Sequence, residues 1–220
     1  MQQLTLVQKL AVAVIPVLFA ITLHEVAHGW VARRFGDRTA EMLGRLTINP
    51  LKHIHPIGTV LVPAVTLMLG GFLFGWAKPV PVSVRNLRNP RRDMIFVALA
   101  GPVANIVMAV MWAFFARLVM EMGLQGGVAV FCLGMAQVGV LINVILAVFN
   151  MFPLPPLDGG GAVGLLFSEQ TARRVQALLR HPQLSLMGIL VAWLLIGRVF
   201  GPIHLLAVNL LYPEFDYTYR

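Results

Sequence analysis

Charge is what this chain has least of. Asp, Glu, Lys and Arg make up only 12% of its 220 residues, where a soluble domain carries about a quarter. That scarcity excludes an ordinary water-soluble globule. Acid is rarer still, with nine carboxylate residues of which four are aspartates, at 37, 93, 158 and 216. Any site that needs carboxylates must draw on this short set. Cysteine occurs once, as Cys132 within an apolar run, so no intrachain disulfide can form. The chain shows no internal repeat and no polar stretch long enough for an appended soluble domain. The first apolar run is not followed by a small-residue cleavage site, which argues against a removable signal peptide.

What is abundant is apolar surface. Hydrophobic residues reach 58% and the mean hydropathy is +0.80. That exceeds what any core of this size can bury and predicts an all-α polytopic membrane protein. The net charge of +8 invites a nucleic-acid reading. The basic residues, however, sit at the ends of apolar runs, as Arg33, Arg34 and Arg38, then Arg85, Arg88, Arg91 and Arg92. That is the distribution of cytoplasmic anchors rather than of a binding stripe, and it speaks against a nucleic-acid partner.

Four to five transmembrane helices are expected. Clear spans cover residues 10–32, 94–120 and 128–149, and a last apolar stretch covers 184–211, interrupted by Gly201-Pro202. Residues 57–75 are apolar but broken by Pro63, Gly70 and Gly71. Basic residues flank them on both sides, so a full crossing would violate the charge rule. They are expected to form a re-entrant or β-hairpin element between the first and second full spans, which is tolerated at membrane depth only against protein or a water-filled cavity. Residues 44–50 and 80–84 are expected to be extended. The chain reads as one integral-membrane domain, 1–220. Residues 1–161 form its core, and 162–220 an amphipathic helix and final span.

Into the first span the sequence sets Leu23-His24-Glu25-Val26-Ala27-His28, with no other charge from Leu10 to Ala32. Residues four apart share a helix face, so His24 and His28 point the same way and can bind one Zn²⁺. Glu25 beside them can act on a metal-bound water. A carboxylate inside a span is costly and marks a functional site. A catalytic zinc takes three protein ligands and one open position. Asp37 and Asp93 lie in basic loops, where pairing with arginine is expected, and Asp216 lies in the tail. Asp158 stands apart, among Pro153, Pro155, Pro156 and Gly159 to Gly161, after a span that returns to the level of the histidines. It is the candidate third ligand; the alternative is a turn-capping aspartate. Asn150 either contacts substrate and transition-state charge or caps the preceding span. His53 and His55 are expected to be solvated loop histidines; the alternative is an accessory metal or proton site. Met108, Met111, Trp112, Phe114 and Phe115 are expected to face lipid or to pack.

His24-Glu25-x-x-His28 in a span, with Asn150-x-x-Pro153-x-x-x-x-Asp158-Gly159 after a later one, resembles the site-2 protease family of intramembrane zinc metalloproteases. Gly44-Arg45-Leu46-Thr47-x-Asn49-Pro50 and Gly101-Pro102-x-x-Asn105 resemble stretches of its bacterial and archaeal members. The resemblance implies one Zn²⁺ per chain held by His24, His28 and Asp158, with Glu25 as base and Asn150 as a substrate or transition-state contact. It implies cleavage of transmembrane protein substrates at the cytoplasmic side of a prokaryotic plasma membrane. It also implies strands after the first motif that pair with an unwound substrate. Asn105 carries over only as a residue of the family pattern. Two departures stand out: no PDZ-like domain is inserted, and His55 stands where the family favours an acid. The rival readings are a proteolytically silent relative, which has no reason to keep Glu25, and a zinc transporter, which should line its spans with polar residues.

Overall fold

The computed structural model describes residues 5–62, 65, 75–154, 156–163, 171 and 182–212. Among them lie six α-helices and no strand. These are α1 (Leu6–Arg34), α2 (Thr39–Met42), α3 (Pro90–Glu121), α4 (Gly126–Asn150), α5 (Asp158–Val163) and α6 (Pro182–Leu211). Four of them, α1, α3, α4 and α6, are long and apolar enough to cross a membrane. The chain is an integral membrane protein. Gly201-Pro202 does not break α6, which runs as one helix with Pro202 inside it. Much of 57–75 and of the stretch 162–181 lies outside the described residues.

Local signals explain the helix ends. Thr5 and Gln8 form a reciprocal capping box at the start of α1. Arg33 and Arg34 close α1, where its dipole favours positive charge. Pro90 opens α3 at a position with no hydrogen bond to lose. The turn into α4 uses left-handed backbone at Gly123 and Gly126, with φ of 62° and 68°.

α1, α3 and α4 pack antiparallel in sequence order. Ala20 and His24 meet Asn105, His28 meets Val97, and Phe35 meets Phe96. Asn105 meets Asn143, and Trp112 lies against Gly139. In lipid no hydrophobic effect drives helices together, so close contact between small residues does. Ala20, Ala98, Ala109, Ala113, Ala136 and Ala147 are all buried. A Cβ on Gly139 would stand 2.3 Å from the Trp112 ring. α6 packs against this trio through Phe200, Ala207 and Leu211, and Phe149 meets Trp193. Met111 and Phe114 are exposed on the outer face, while Met108 and Trp112 pack inside, as expected.

The connection from α1 to α3 is held by side chains rather than by strand pairing. The segment 44–50 forms no ladder because its backbone groups find other partners: the Arg45 N–H donates to Ala40 O and His53 Nε2 meets Thr47 O at 2.9 Å. His53 is therefore buried and structural, not solvated. His55 accepts the Gly58 N–H on Nδ1 at 3.0 Å and caps the turn Pro56–Leu61. The Trp76 N–H then donates to Gly58 O, and the Lys78 N–H to His53 O, both at 2.9 Å.

Neither loop aspartate carries an ion pair with arginine among the described residues. Asp93 accepts the Asn89 N–H at 2.8 Å and steadies the start of α3. Asp37 accepts from the N–H and hydroxyl of Thr39, the Ser83 N–H and the Asn86 amide. Burial pushes the Asp37 carboxyl up, but these donors outweigh it and hold it below the ordinary aspartate value. Its contribution to stability is therefore present above the ordinary value and is lost only as pH falls through the lowered one.

Candidate metal centre

His24 and His28 lie one turn apart on the inner face of α1. Asp158 reaches them from the first residue of α5, a short helix packed on α3. That approach needs Gly159: a Cβ there would stand 2.4 Å from the carbonyl oxygens of Met151 and Phe152. His24 Nε2 and His28 Nε2 are 3.1 Å apart. Asp158 Oδ2 is 3.2 Å from the first and 3.4 Å from the second. The three sequence-predicted ligands thus converge, and their ligand atoms all lie within 4.8 Å of one another.

The protonation of these nitrogens follows from backbone carbonyls. Asn143 Nδ2 donates to Gly139 O at 2.8 Å, which turns Asn143 Oδ1 towards Asn105. Asn105 Nδ2 donates to that oxygen at 2.8 Å and to Ala20 O at 3.3 Å. Asn105 Oδ1 therefore faces His24 Nδ1, 2.5 Å away, and can only accept. His24 must carry its proton on Nδ1. His28 must do the same, because its Nδ1 meets the Val97 carbonyl at 2.7 Å. In their neutral forms both imidazoles then turn the Nε2 lone pair towards each other and towards the Asp158 carboxylate oxygen.

Two imidazole nitrogens and a carboxylate oxygen at such separations need a positive charge among them, a shared proton or a metal ion. Asp158 Oδ2 is buried with no hydrogen-bond partner. Ligands 2.0–2.1 Å from a tetrahedral zinc stand about 3.3 Å apart, close to the spacings seen here. The donor set of two imidazoles and one carboxylate also suits that ion. Gly101 leaves room for it, since a Cβ there would come within 2.4 Å of His28 Nε2 and 2.6 Å of His24 Nε2.

Glu25 points elsewhere in this neighbourhood. Its Oε2 accepts the Val80 N–H at 2.7 Å. The segment carrying Val80 is clamped by Arg45, a buried cation whose Nη2 donates to Lys78 O at 2.8 Å. Along 76–83 the N–H groups of Trp76, Lys78, Val80 and Ser83 are occupied, and Pro79 and Pro81 have none. Only Ala77 and Val82 retain donors for pairing with another strand. Asn150 ends α4 with its amide donating to Leu146 O at 3.0 Å, so here it serves its own helix.

Sequence alone assigns no role to Asn105 and does not single out Asn143. Their signal was present: two buried amides are costly in a membrane bundle unless satisfied. Asn105→Leu is expected to weaken zinc binding about 10- to 100-fold, as loss of a partner behind a metal-bound histidine typically does. Titration against a competing chelator measures it; parent-like affinity would show that Asn105 does not orient His24.

A family model described as Peptidase family M50 matches residues 12–133 and 124–195. "Putative zinc metalloprotease YwhC" of Bacillus subtilis is 42% identical over 149 residues, 66% of this chain and 64% of the relative. "Putative zinc metalloprotease Rip2" of Mycolicibacterium smegmatis is 36% identical over 156 residues, 71% of this chain and 57% of the relative. The Rip2 of Mycobacterium tuberculosis is 32% identical over 193 residues, 85% of this chain and 69% of the relative. The chain thus spans somewhat more than half the length of the first two relatives. No solved structure matches it.

Proposed function

This chain belongs to peptidase family M50, and on that premise we propose that it is a zinc-dependent endopeptidase of the site-2 protease type, cleaving peptide bonds in or beside the transmembrane segments of other membrane proteins. The observation that carries the reading is the meeting of two imidazole Nε2 atoms and a buried carboxylate oxygen, with a second carboxylate one residue from the first histidine. Neither rival reading needs that combination. The polar residues inside the bundle, Asn105 and Asn143, are spent on hydrogen bonds around His24 and mark out no transit path for a metal.

His24, His28 and Asp158 would hold the ion. A zinc there supplies Lewis-acid polarisation and lowers the pKa of a water towards neutrality. The chain's own residues do the rest. The Val80 N–H anchors Oε2 of Glu25, which leaves Oε1 to take a proton from the attacking water and return it to the leaving amine. Asn150 can donate to the oxyanion after a rotation that releases Leu146 O. The substrate helix must unwind, since a helical peptide bond keeps its carbonyl in the backbone ladder.

Residues 57–75 are read as re-entrant. The support is that Trp76 returns to within hydrogen-bond distance of Gly58, so the chain comes back to the level it left. The site is read as lying on the cytoplasmic side of a prokaryotic plasma membrane; the support for that side is the arginines that close α1 and precede α3. The whole chain acts as one membrane domain.

Purified enzyme in detergent is expected to cut a labelled transmembrane peptide, to lose that activity to a zinc chelator and to regain it with added zinc. Cleavage that survives complete removal of metal overturns the reading. Arg45→Met is expected to lower kcat at least about tenfold with little change in KM or zinc content, because small misplacements near a reacting group are costly. Arg45→Lys should recover part of the loss. Equal effects on kcat and zinc content would make Arg45 a fold residue only.

A further inference from the structure

We propose that a basic cavity at the end of α1 is a binding site for the phosphodiester headgroup of an anionic glycerophospholipid. The cavity has a volume of about 360 Å³ and is lined by Trp30, Arg33, Arg34 and Arg88. Three of these come from one face of α1, at spacings of three and four residues. Trp30 is two residues past His28, roughly 200° around the helix, so the cavity opens away from the metal ligands.

The fourth residue is delivered by a specific turn. Gly36 adopts φ of 111°, in the left-handed region. A Cβ there would come within 3.0 Å of Asn86 O and 3.4 Å of Arg88 Cγ. The Arg88 N–H donates to Phe35 O at 3.0 Å, which fastens the loop before α3 onto the end of α1. Only a glycine lets Arg88 lie this close.

Charge then points to the ligand. Glu41 is shared by Arg33, at 3.1 Å, and Arg38, at 2.7 Å. Arg34 and Arg88 have no carboxylate partner among the described residues. Arg34 and Arg88 thus bring two guanidinium groups without a carboxylate to one cavity, and the fork of arginine suits phosphate oxygens. Depth points to the source. The Trp30 indole is exposed in the last two turns of a membrane-length helix, with the Arg34 guanidinium 5.9 Å from its ring centre. An exposed indole at a span's end sits at headgroup level, and basic pockets there hold anionic headgroups. A soluble phosphate has no use for the indole.

Native mass spectrometry of the full chain, delipidated and titrated with phosphatidylglycerol or phosphatidylcholine, tests this. The parent chain should retain one phosphatidylglycerol in clear preference to phosphatidylcholine. Arg34→Gln with Arg88→Gln should weaken retention about thirtyfold, at roughly fivefold per arginine. Arg85→Gln with Arg92→Gln, the same charge loss outside the cavity, should leave retention unchanged. Circular dichroism and zinc content of both double variants are expected to match the parent. Equal losses in the two double variants would mean diffuse attraction and overturn the site. Displacement of the lipid by millimolar inorganic phosphate would assign the cavity to soluble phosphate and overturn the lipid.

Discussion

Glu25→Gln is expected to bind zinc as tightly as the parent chain and to cleave a transmembrane peptide at least about a hundredfold more slowly, with KM nearly unchanged. The substitution is close to isosteric. A glutamine oxygen can still accept the Val80 N–H that Glu25 Oε2 accepts at 2.7 Å. The segment pinned by Arg45 should therefore stay in place. What is lost is a group able to take a proton, and general acid–base contributions of this kind run to about 10²–10⁴-fold. The zinc ligands are untouched, so metal content measured by atomic absorption should not change. Residual activity within a few-fold of the parent would remove Glu25 from the reaction. Loss of zinc would mean that the carboxylate supports the metal rather than the proton transfer.

Much of this was legible before any coordinates. The spans were, because an apolar helix of 20 or more residues leaves a composition signal that needs no tertiary information. Expected boundaries of 94–120 and 128–149 became α3, Pro90–Glu121, and α4, Gly126–Asn150. The convergence of His24, His28 and Asp158 was legible because local spacing fixes the first two and scarcity of acid isolates the third. The loops were not. Asp37 and Asp93 were expected to pair with arginine, yet backbone N–H groups take them, since a tight turn offers donors at shorter reach than a flexible side chain. His53 was expected in water, but the fold bends 44–53 back on itself and buries it against Thr47. Asn105 and Asn143 acquire meaning only once α1, α3 and α4 are side by side, and no pattern within one helix reveals that pairing.

The second large effect concerns the metal itself. Asp158→Ala is expected to lose zinc during purification, and to lose most of the thermal stabilisation that zinc gives the parent. Asp158 Oδ2 is buried and lies 3.2 and 3.4 Å from the Nε2 atoms of His24 and His28. Without metal the carboxylate can pair only with a protonated histidine, whose attraction is largely offset by desolvation, and on its removal that histidine can shed its proton; the metal-free forms of variant and parent should therefore differ far less than the loaded forms do. In the loaded fold the same oxygen would be one of three ligands, and the only anionic one among them. A ligand that binds the native state at 1,000 times its dissociation constant stabilises it by about 4 kcal/mol. Most of that increment should vanish with the carboxylate. Melting curves of both proteins, with and without zinc, separate the two terms. Asp158→Asn keeps the shape without the charge and is expected to fall between parent and alanine variant. Because Gly159 and the turn at Met151 and Phe152 hold the start of α5 independently of the side chain, the backbone should not collapse in either variant. If purified Asp158→Ala keeps full zinc occupancy and the parent's zinc-dependent shift, the carboxylate is a turn residue, and a third ligand must be sought elsewhere.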